Sequence, residues 1–278
     1  MELGEKCRKP AFSGSFYPSE KFRLEEMIKV FLQEAEVPQE IKKQNILGVL
    51  VPHAGYKYSG PVAGYSYKAV EGKNYDTVIL MGPSHNFYSA FFILDNRDYY
   101  KSPLGLISLD KEIIDFLSGI ENFEIVTDVH NEEHCLEVQL PFIQVVLGNI
   151  SIVPVLYGNV SKTSMITMAE AIDKIINKFT DRKFLIVASS DLSHYHTYEE
   201  AYELDRRLAQ IFEEKDFENY LKSLAYREIE ACGAGPLGTL IYYAREKNKT
   251  SKALKLLNSG DTSGPKDYVV GYMSGVVY

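Results

Sequence analysis

Three apolar runs constrain this chain most: NILGVLV (45–51), DTVILMG (76–82) and KFLIVASSD (183–191). Each has the length of a strand and is almost continuously apolar, with none of the alternation expected where one face meets water. Strands buried on both faces need helices on both sides of their sheet, which is the α/β arrangement. The intervening segments fit it. Ser19 is placed to cap a helix running to about Glu36, with Phe22, Met27, Ile28, Phe31 and Leu32 on its apolar side. PVAGYSYKAVEG (61–72) opens with a proline suited to a first helical turn. EEHCLEVQLPFIQVVLG (132–148) spaces Leu136, Leu140, Ile143 and Leu147 as a helix bent at Pro141. SKTSMITMAEAIDKIINKF, segments near 199–213 and 216–230, and PLGTLIYYAREK also read as helices. Shorter strands are expected at 91–95, 104–110 and in FEIVTD, ISIVPVLYG and the closing DYVVGYMSGVVY, with Pro154 marking an edge or bulge. The reading is one α/β domain over residues 1–278, with a central mixed, partly parallel sheet flanked by helices. Run 76–82 is expected to pair in parallel with 45–51 through a right-handed crossover.

Charge and cysteine content narrow the function classes. A net charge of -8, without a dense basic cluster, argues against a phosphate-tracking nucleic-acid surface. No apolar run reaches the roughly 18–20 residues of a membrane span, and MELGEKCRKPAF lacks a signal-peptide core, so the expected compartment is the cytoplasm. Cys7, Cys135 and Cys232 make no disulfide framework and are read as free thiols, of which a special one needs reactivity or metal binding to explain it.

The chemistry is concentrated where the strands end. VLVPH, VILMGPSH and LIVASSDLSH each carry a histidine just beyond a buried run, placing His53, His85 and His194 at three such ends. Open α/β sheets bind ligands in the crevice at the carboxyl ends of their strands, so the three can converge. A single loop histidine is more often a solvated or hydrogen-bonded side chain; the threefold recurrence favours a shared site. Two histidines with a third protein ligand leave coordination positions open, as a catalytic metal requires. Cys232, Asp191 and Glu230 are candidates for that third ligand, and His134 can point into the same crevice.

Two motif matches carry less weight. GAGPLG (233–238) fits G-x-G-x-x-G but comes after a helical segment, whereas a dinucleotide site needs a strand there. HNEEH (130–134) fits the inverted zinc-protease pattern, with His130 and His134 as ligands and Glu133 as base, but His130 precedes the helix.

PAFSGSFYP, VPHAGYKYSG, GPSHN, EHCLEVQLPF, SSDLSHY and CGAGP succeed one another in the order found in the MEMO family, which the chain resembles over nearly its whole length. The resemblance implies a fold similar to class III extradiol dioxygenases, enzymes that use non-haem iron(II). It implies His53, His85 and Cys232 as metal ligands, the cysteine standing where those dioxygenases carry a carboxylate. It also implies His194 as the acid/base, with Asp191 and His134 as catalytic residues lining the pocket. Cys135 occupies a position where serine is common in the family. Iron(II) or copper is the expected metal, with zinc as an option; a thiolate in place of the carboxylate shifts preference toward softer metals such as copper(I) or zinc. Implied partners are a small molecule or peptide, and AMMECR-type and radical-SAM proteins through family association. The expected function is a redox or dioxygenase-like metal site. Its alternative is a non-catalytic protein that binds a small anion, peptide or metal in the same pocket, with Tyr56, Tyr58 and Tyr195 as an aromatic wall.

Overall fold

The computed structural model describes residues 6–262 and 264–278; the first five residues of MELGEKCRKPAF lie outside it. Its strands are β1 (Cys7–Arg8), β2 (Gly48–Val51), β3 (Thr77–Pro83), β4 (Phe92–Leu94), β5 (Tyr99–Ser102), β6 (Gly105–Leu109), β7 (Phe123–Ile125), β8 (Ser151–Tyr157), β9 (Phe184–Ser189), β10 (His194–His196), β11 (Ser251–Asn258) and β12 (Val269–Val277). Its helices are α1 (Lys21–Glu34), α2 (Gln39–Lys42), α3 (Tyr56–Val70), α4 (Lys111–Ser118), α5 (His134–Glu137), α6 (Leu140–Leu147), α7 (Lys162–Lys178), α8 (Tyr198–Glu214), α9 (Phe217–Ala225), α10 (Ala234–Glu246) and α11 (Ser259–Thr262). The strands form one mixed sheet in the order β1-β5-β6-β8-β3-β9-β2-β12-β10, with β11 on β12 and the β4–β7 pair on β8. From β6 to β2 the neighbours are parallel; β12 closes that side antiparallel to β2. Every residue of β2, β3 and β9 is buried, as their apolar runs require. Burying each Val, Leu or Ile side chain contributes roughly 1.5–3 kcal/mol.

Several local expectations are corrected. The runs 45–51 and 76–82 do not pair with each other, because β9 lies between β2 and β3 and is parallel to both. Glu20, not Ser19, caps α1: its carboxylate accepts the N–H groups of Phe22 and Arg23, and Phe22 is exposed while Leu24 joins Ile28 and Leu32 inside. Helix α3 starts five residues before Pro61, which lies inside it. Segment 132–148 breaks into α5 and α6 instead of bending. Strand β8 is interior rather than an edge. Pro154 falls between the stretch of β8 that pairs with β6 (Ser151, Ile152) and the stretch that pairs with β4 (Val155–Tyr157), so its missing N–H interrupts neither ladder.

Helix α3 lies against α1 through two glycines one helical turn apart. A Cβ on Gly60 would sit 2.3 Å from the Phe31 ring, and one on Gly64 would sit 2.6 Å from the Phe31 carbonyl oxygen. Close seating of α3 aligns the turn before it, and that turn carries His53.

Candidate metal centre

Because β3, β9 and β2 are adjacent and parallel, their carboxyl ends meet on one edge. The segments leaving them carry His85, Asp191 with His194 at the start of β10, and His53. Cys232 arrives from the turn before α10, its backbone N–H donating to the Asp191 carbonyl at 3.2 Å. Helix α5 brings His134. All six side chains line one cleft of about 720 Å³, together with Leu192, Leu224 and Ile229 on an apolar wall and with Tyr195, Arg227 and Glu230.

Hydrogen bonding fixes the ring of His53. The Ser189 hydroxyl donates its proton to the Cys135 carbonyl at 2.8 Å and accepts from the Gln139 side-chain amide at 3.0 Å. The same amide nitrogen donates to the Pro52 carbonyl at 3.0 Å, an acceptor only, so that amide has one orientation, with Tyr67 donating to its oxygen at 2.9 Å. Ser189 can then only accept from His53 Nδ1, 2.9 Å away, which puts the ring proton on Nδ1 and leaves Nε2 bare. Burial, reinforced by the imidazoles of His134, His85 and His194, pushes the His53 pKa well below its ordinary value and keeps the ring neutral.

Glu133 does the same for His85. Its carboxylate accepts from His85 Nδ1 and from the His85 backbone N–H, both at 2.8 Å, and from the Cys135 N–H at 3.1 Å. Burial alone would raise the Glu133 pKa; the bonds from His85 and Cys135 outweigh it and hold it at about 2. A carboxylate on Nδ1 frees Nε2 for coordination, the arrangement common behind metal-bound histidines.

The bare Nε2 of His53 lies 3.0 Å from the Cys232 sulfur. His53, His85 and Cys232 each offer a ligand atom within 4.8 Å of the other two. Two ligands at about 2.0–2.3 Å from one ion must themselves lie roughly 3–4 Å apart, so the donor set fits a single metal ion. Burial and the Asp191 carboxylate push the Cys232 thiol up, while the Asp191 N–H donates to its sulfur at 3.3 Å. A bound metal removes a thiol proton outright.

The other candidates separate. Asp191 accepts from the N–H groups of His53 (2.7 Å) and Ala54 (3.3 Å), and burial, opposed by these bonds, lifts its pKa to about 6. Glu230 pairs with His196 Nε2 at 3.0 Å and is not among the converging ligand atoms. His194 donates from Nδ1 to the Leu192 carbonyl at 2.7 Å, leaving Nε2 as its free nitrogen. His134 stacks on His85, with ring centroids 4.5 Å apart, and burial lowers its pKa to about 4. Of the three tyrosines, Tyr195 lines the cleft and is held at a left-handed φ of 63°. Tyr56 is buried with its hydroxyl on the Val138 carbonyl, and Tyr58 is not part of the cleft wall.

Sequence reasoning missed the support around these ligands. Glu133 was legible only as the base in HNEEH, and nothing local marks Ser189 or Gln139 as partners of His53. GAGPLG serves packing: a Cβ on Gly233, Gly235 or Gly238 would lie 2.3–2.4 Å from the Ser189 carbonyl, the Tyr157 ring or the Met165 sulfur. HNEEH is divided between a 3₁₀ turn (Thr127–His130) and α5, and His130 is buried away from the cleft with neither ring nitrogen hydrogen-bonded.

His130 has a consequence for stability. Burial chiefly, with Arg8 and Arg97 assisting and Asp95 opposing, lowers its pKa to about 4. A depressed histidine adds stability that is complete above its unfolded pKa near 6.5 and is lost as pH falls through the folded value. About 3 kcal/mol is expected to go between pH 7 and pH 4. Urea denaturation across that range should show a shallower decline in His130→Leu; an unchanged slope would contradict this assignment.

Comparison with known proteins gives the family. The Memo family model, described as Memo-like protein, matches residues 8–276. A MEMO1 family protein of Sulfurisphaera tokodaii is 37% identical, covering 96% of this chain and 98% of its own. Another, from Saccharolobus solfataricus, is 34% identical with the same coverage. The crystal structure of the uncharacterized protein JW3007 from Escherichia coli K12 superposes with a TM-score of 0.52 at 12% identity, covering 84% of this chain and 100% of that one, a likeness of fold. With the family pattern matched from residue 8 to 276 and relatives of that similarity along nearly its whole length, the chain belongs to the Memo family.

Proposed function

We propose that this Memo-family chain is a metal-dependent oxidoreductase of dioxygenase-like type, acting on a small molecule that enters the cleft. His53, His85 and Cys232 hold the metal. The observation that carries the reading is the convergence of two imidazoles, each with its proton directed to a partner on Nδ1, and one thiol within 4.8 Å. The sulfur beside two imidazoles favours copper(I) or zinc, and iron(II) is the redox ion of the dioxygenase-like reading. Such a redox ion supplies one-electron exchange and Lewis-acid polarisation when bound. His194, with its free Nε2 on the cleft, moves protons to and from substrate. Asp191 fixes the backbone on either side of the ligands through His53, Ala54 and Cys232. His134 and the apolar wall of Leu192, Leu224 and Ile229 orient the substrate and limit water.

Protein prepared anaerobically should carry about one equivalent of iron or copper per chain, and His53→Ala should carry almost none by elemental analysis. Equal and negligible metal in both proteins overturns the proposal. One observation favours binding without turnover: Arg227 lies on the cleft, and Glu228 beside it in the chain is paired with Arg207, so among the described residues the Arg227 guanidinium is left to suit an anionic ligand. Thermal stabilisation by anions that survives both His53→Ala and Cys232→Ala supports that second reading.

A further inference from the structure

Among the described residues, the N-terminal segment from residue 6 contributes none of the converging ligand atoms, yet one of its side chains is wired to the cleft. Arg8 is fully buried, and all five of its guanidinium N–H groups have acceptors. Nη1 meets the Glu137 carboxylate at 2.6 Å and the Lys9 carbonyl at 3.3 Å. Nε donates to the His130 carbonyl at 2.5 Å, and Nη2 to the carbonyls of Asn131 (3.3 Å) and Glu133 (2.9 Å). Three carbonyls of one four-residue loop are thus gathered on a single rigid fork. That loop delivers the Glu133 carboxylate to His85 Nδ1. Further along the segment, Phe12 and Phe16 pack on His134, with ring centroids 5.5 and 5.0 Å from that of the imidazole.

We propose that Arg8 is a positioning residue of the metal centre: it clamps loop 130–133 so that Glu133 holds His85 with Nε2 directed at the metal. The proposal rests on the metal reading above for its effect on affinity, and on geometry alone for its effect on the His85 ring. Lysine at position 8 keeps the charge opposite Glu137 but cannot reproduce the fork to three carbonyls.

The test is a double-mutant cycle of Arg8→Lys and Glu133→Gln, with zinc(II) as the probe and circular dichroism confirming the fold. Each single variant is expected to bind zinc about 10–100-fold more weakly. In the Glu133→Gln background, Arg8→Lys should cost little more, because both act through the same ring. Additive losses would make Arg8 merely structural and overturn the proposal. The second readout needs no metal: ¹⁵N NMR of the histidine rings in metal-free protein. The wild type should show His85 as a single Nδ1–H tautomer, and Arg8→Lys should show a mixture. An unchanged tautomer in Arg8→Lys overturns the clamp even if zinc does not bind. A tautomer change in Arg8→Lys, with no metal taken up by the wild type, instead defeats the metal reading and leaves the clamp standing.

Discussion

Glu137→Ala should lower the stability of this protein by about 3–5 kcal/mol, the usual effect of removing one partner from a buried ion pair. The environment argues for the upper part of that range. Glu137 is completely buried, and its two oxygens accept four bonds: from Arg8 Nη1 (2.6 Å), the N–H groups of Ala11 (2.9 Å) and Phe12 (2.8 Å), and the Tyr17 hydroxyl (2.6 Å). Alanine leaves a buried guanidinium without its counter-charge and three further donors without an acceptor. Tyr17 does not compensate by ionising, since burial, the largest influence on its hydroxyl, still pushes its pKa up once the carboxylate is gone. In a chain of 278 residues the loss corresponds to a fall in melting temperature on the order of 6–10 °C. Urea denaturation should show a lower midpoint at an unchanged slope. Glu137→Gln, which keeps the shape and some of the acceptors, should fall between. A Glu137→Ala protein with a wild-type midpoint would mean that the segment from Arg8 to Tyr17 is not anchored by this pair.

The second large effect concerns the thiol. Sharing the roughly 10–16 kcal/mol of a four-ligand zinc site among its ligands gives about 3 kcal/mol each, so Cys232→Ala should weaken metal binding on the order of 100-fold. Cys232→Asp is more informative. A carboxylate beside His53 and His85 recreates the two-histidine, one-carboxylate donor set that suits iron(II), whereas thiolate suits copper(I) and zinc. The aspartate variant should therefore recover iron(II) binding relative to alanine while losing copper(I) affinity, as measured by competition against chelators. Recovery of both metals to the same degree would show that the sulfur sets no preference. Wild-type metal affinity in Cys232→Ala would show that the metal does not use position 232.

Much of the architecture was legible because it depends on short-range rules. The runs 45–51, 76–82 and 183–191 are too apolar to be anything but buried, and they became the three strands whose ends frame the cleft. The histidines beyond them were legible for the same reason: in a parallel sheet the loops leaving the strands all emerge at one edge. Strand order was not legible. Chain sequence suggests that neighbours in the chain pair, yet β9 enters between β2 and β3 from more than 100 residues away. Strand β5, and β11 along the edge of β12, were missed because half-exposed strands with lysines and tyrosines carry a weak periodic signal. Caps were missed where chemistry admits equivalents, as with Glu20 in place of Ser19.

By itself the sequence determined an α/β sheet, the strand-end positions of His53, His85 and His194, and the motif order that marks the Memo family. The motif order also pointed to Cys232 ahead of Glu230 and Asp191, and the tertiary structure seats the turn before α10 against Asp191 so that the Cys232 sulfur comes within 4.8 Å of both imidazoles. The tertiary structure alone decided which nitrogen of each imidazole is bare, since the partners Ser189, Gln139 and Glu133 lie 48 to 136 positions from the rings they orient or support. And it alone joined Arg8 to Glu137 across 129 positions. Hydrogen bonds act over about 3 Å while the sequence separates their partners by whole strands and helices, so only the fold brings such pairs within reach.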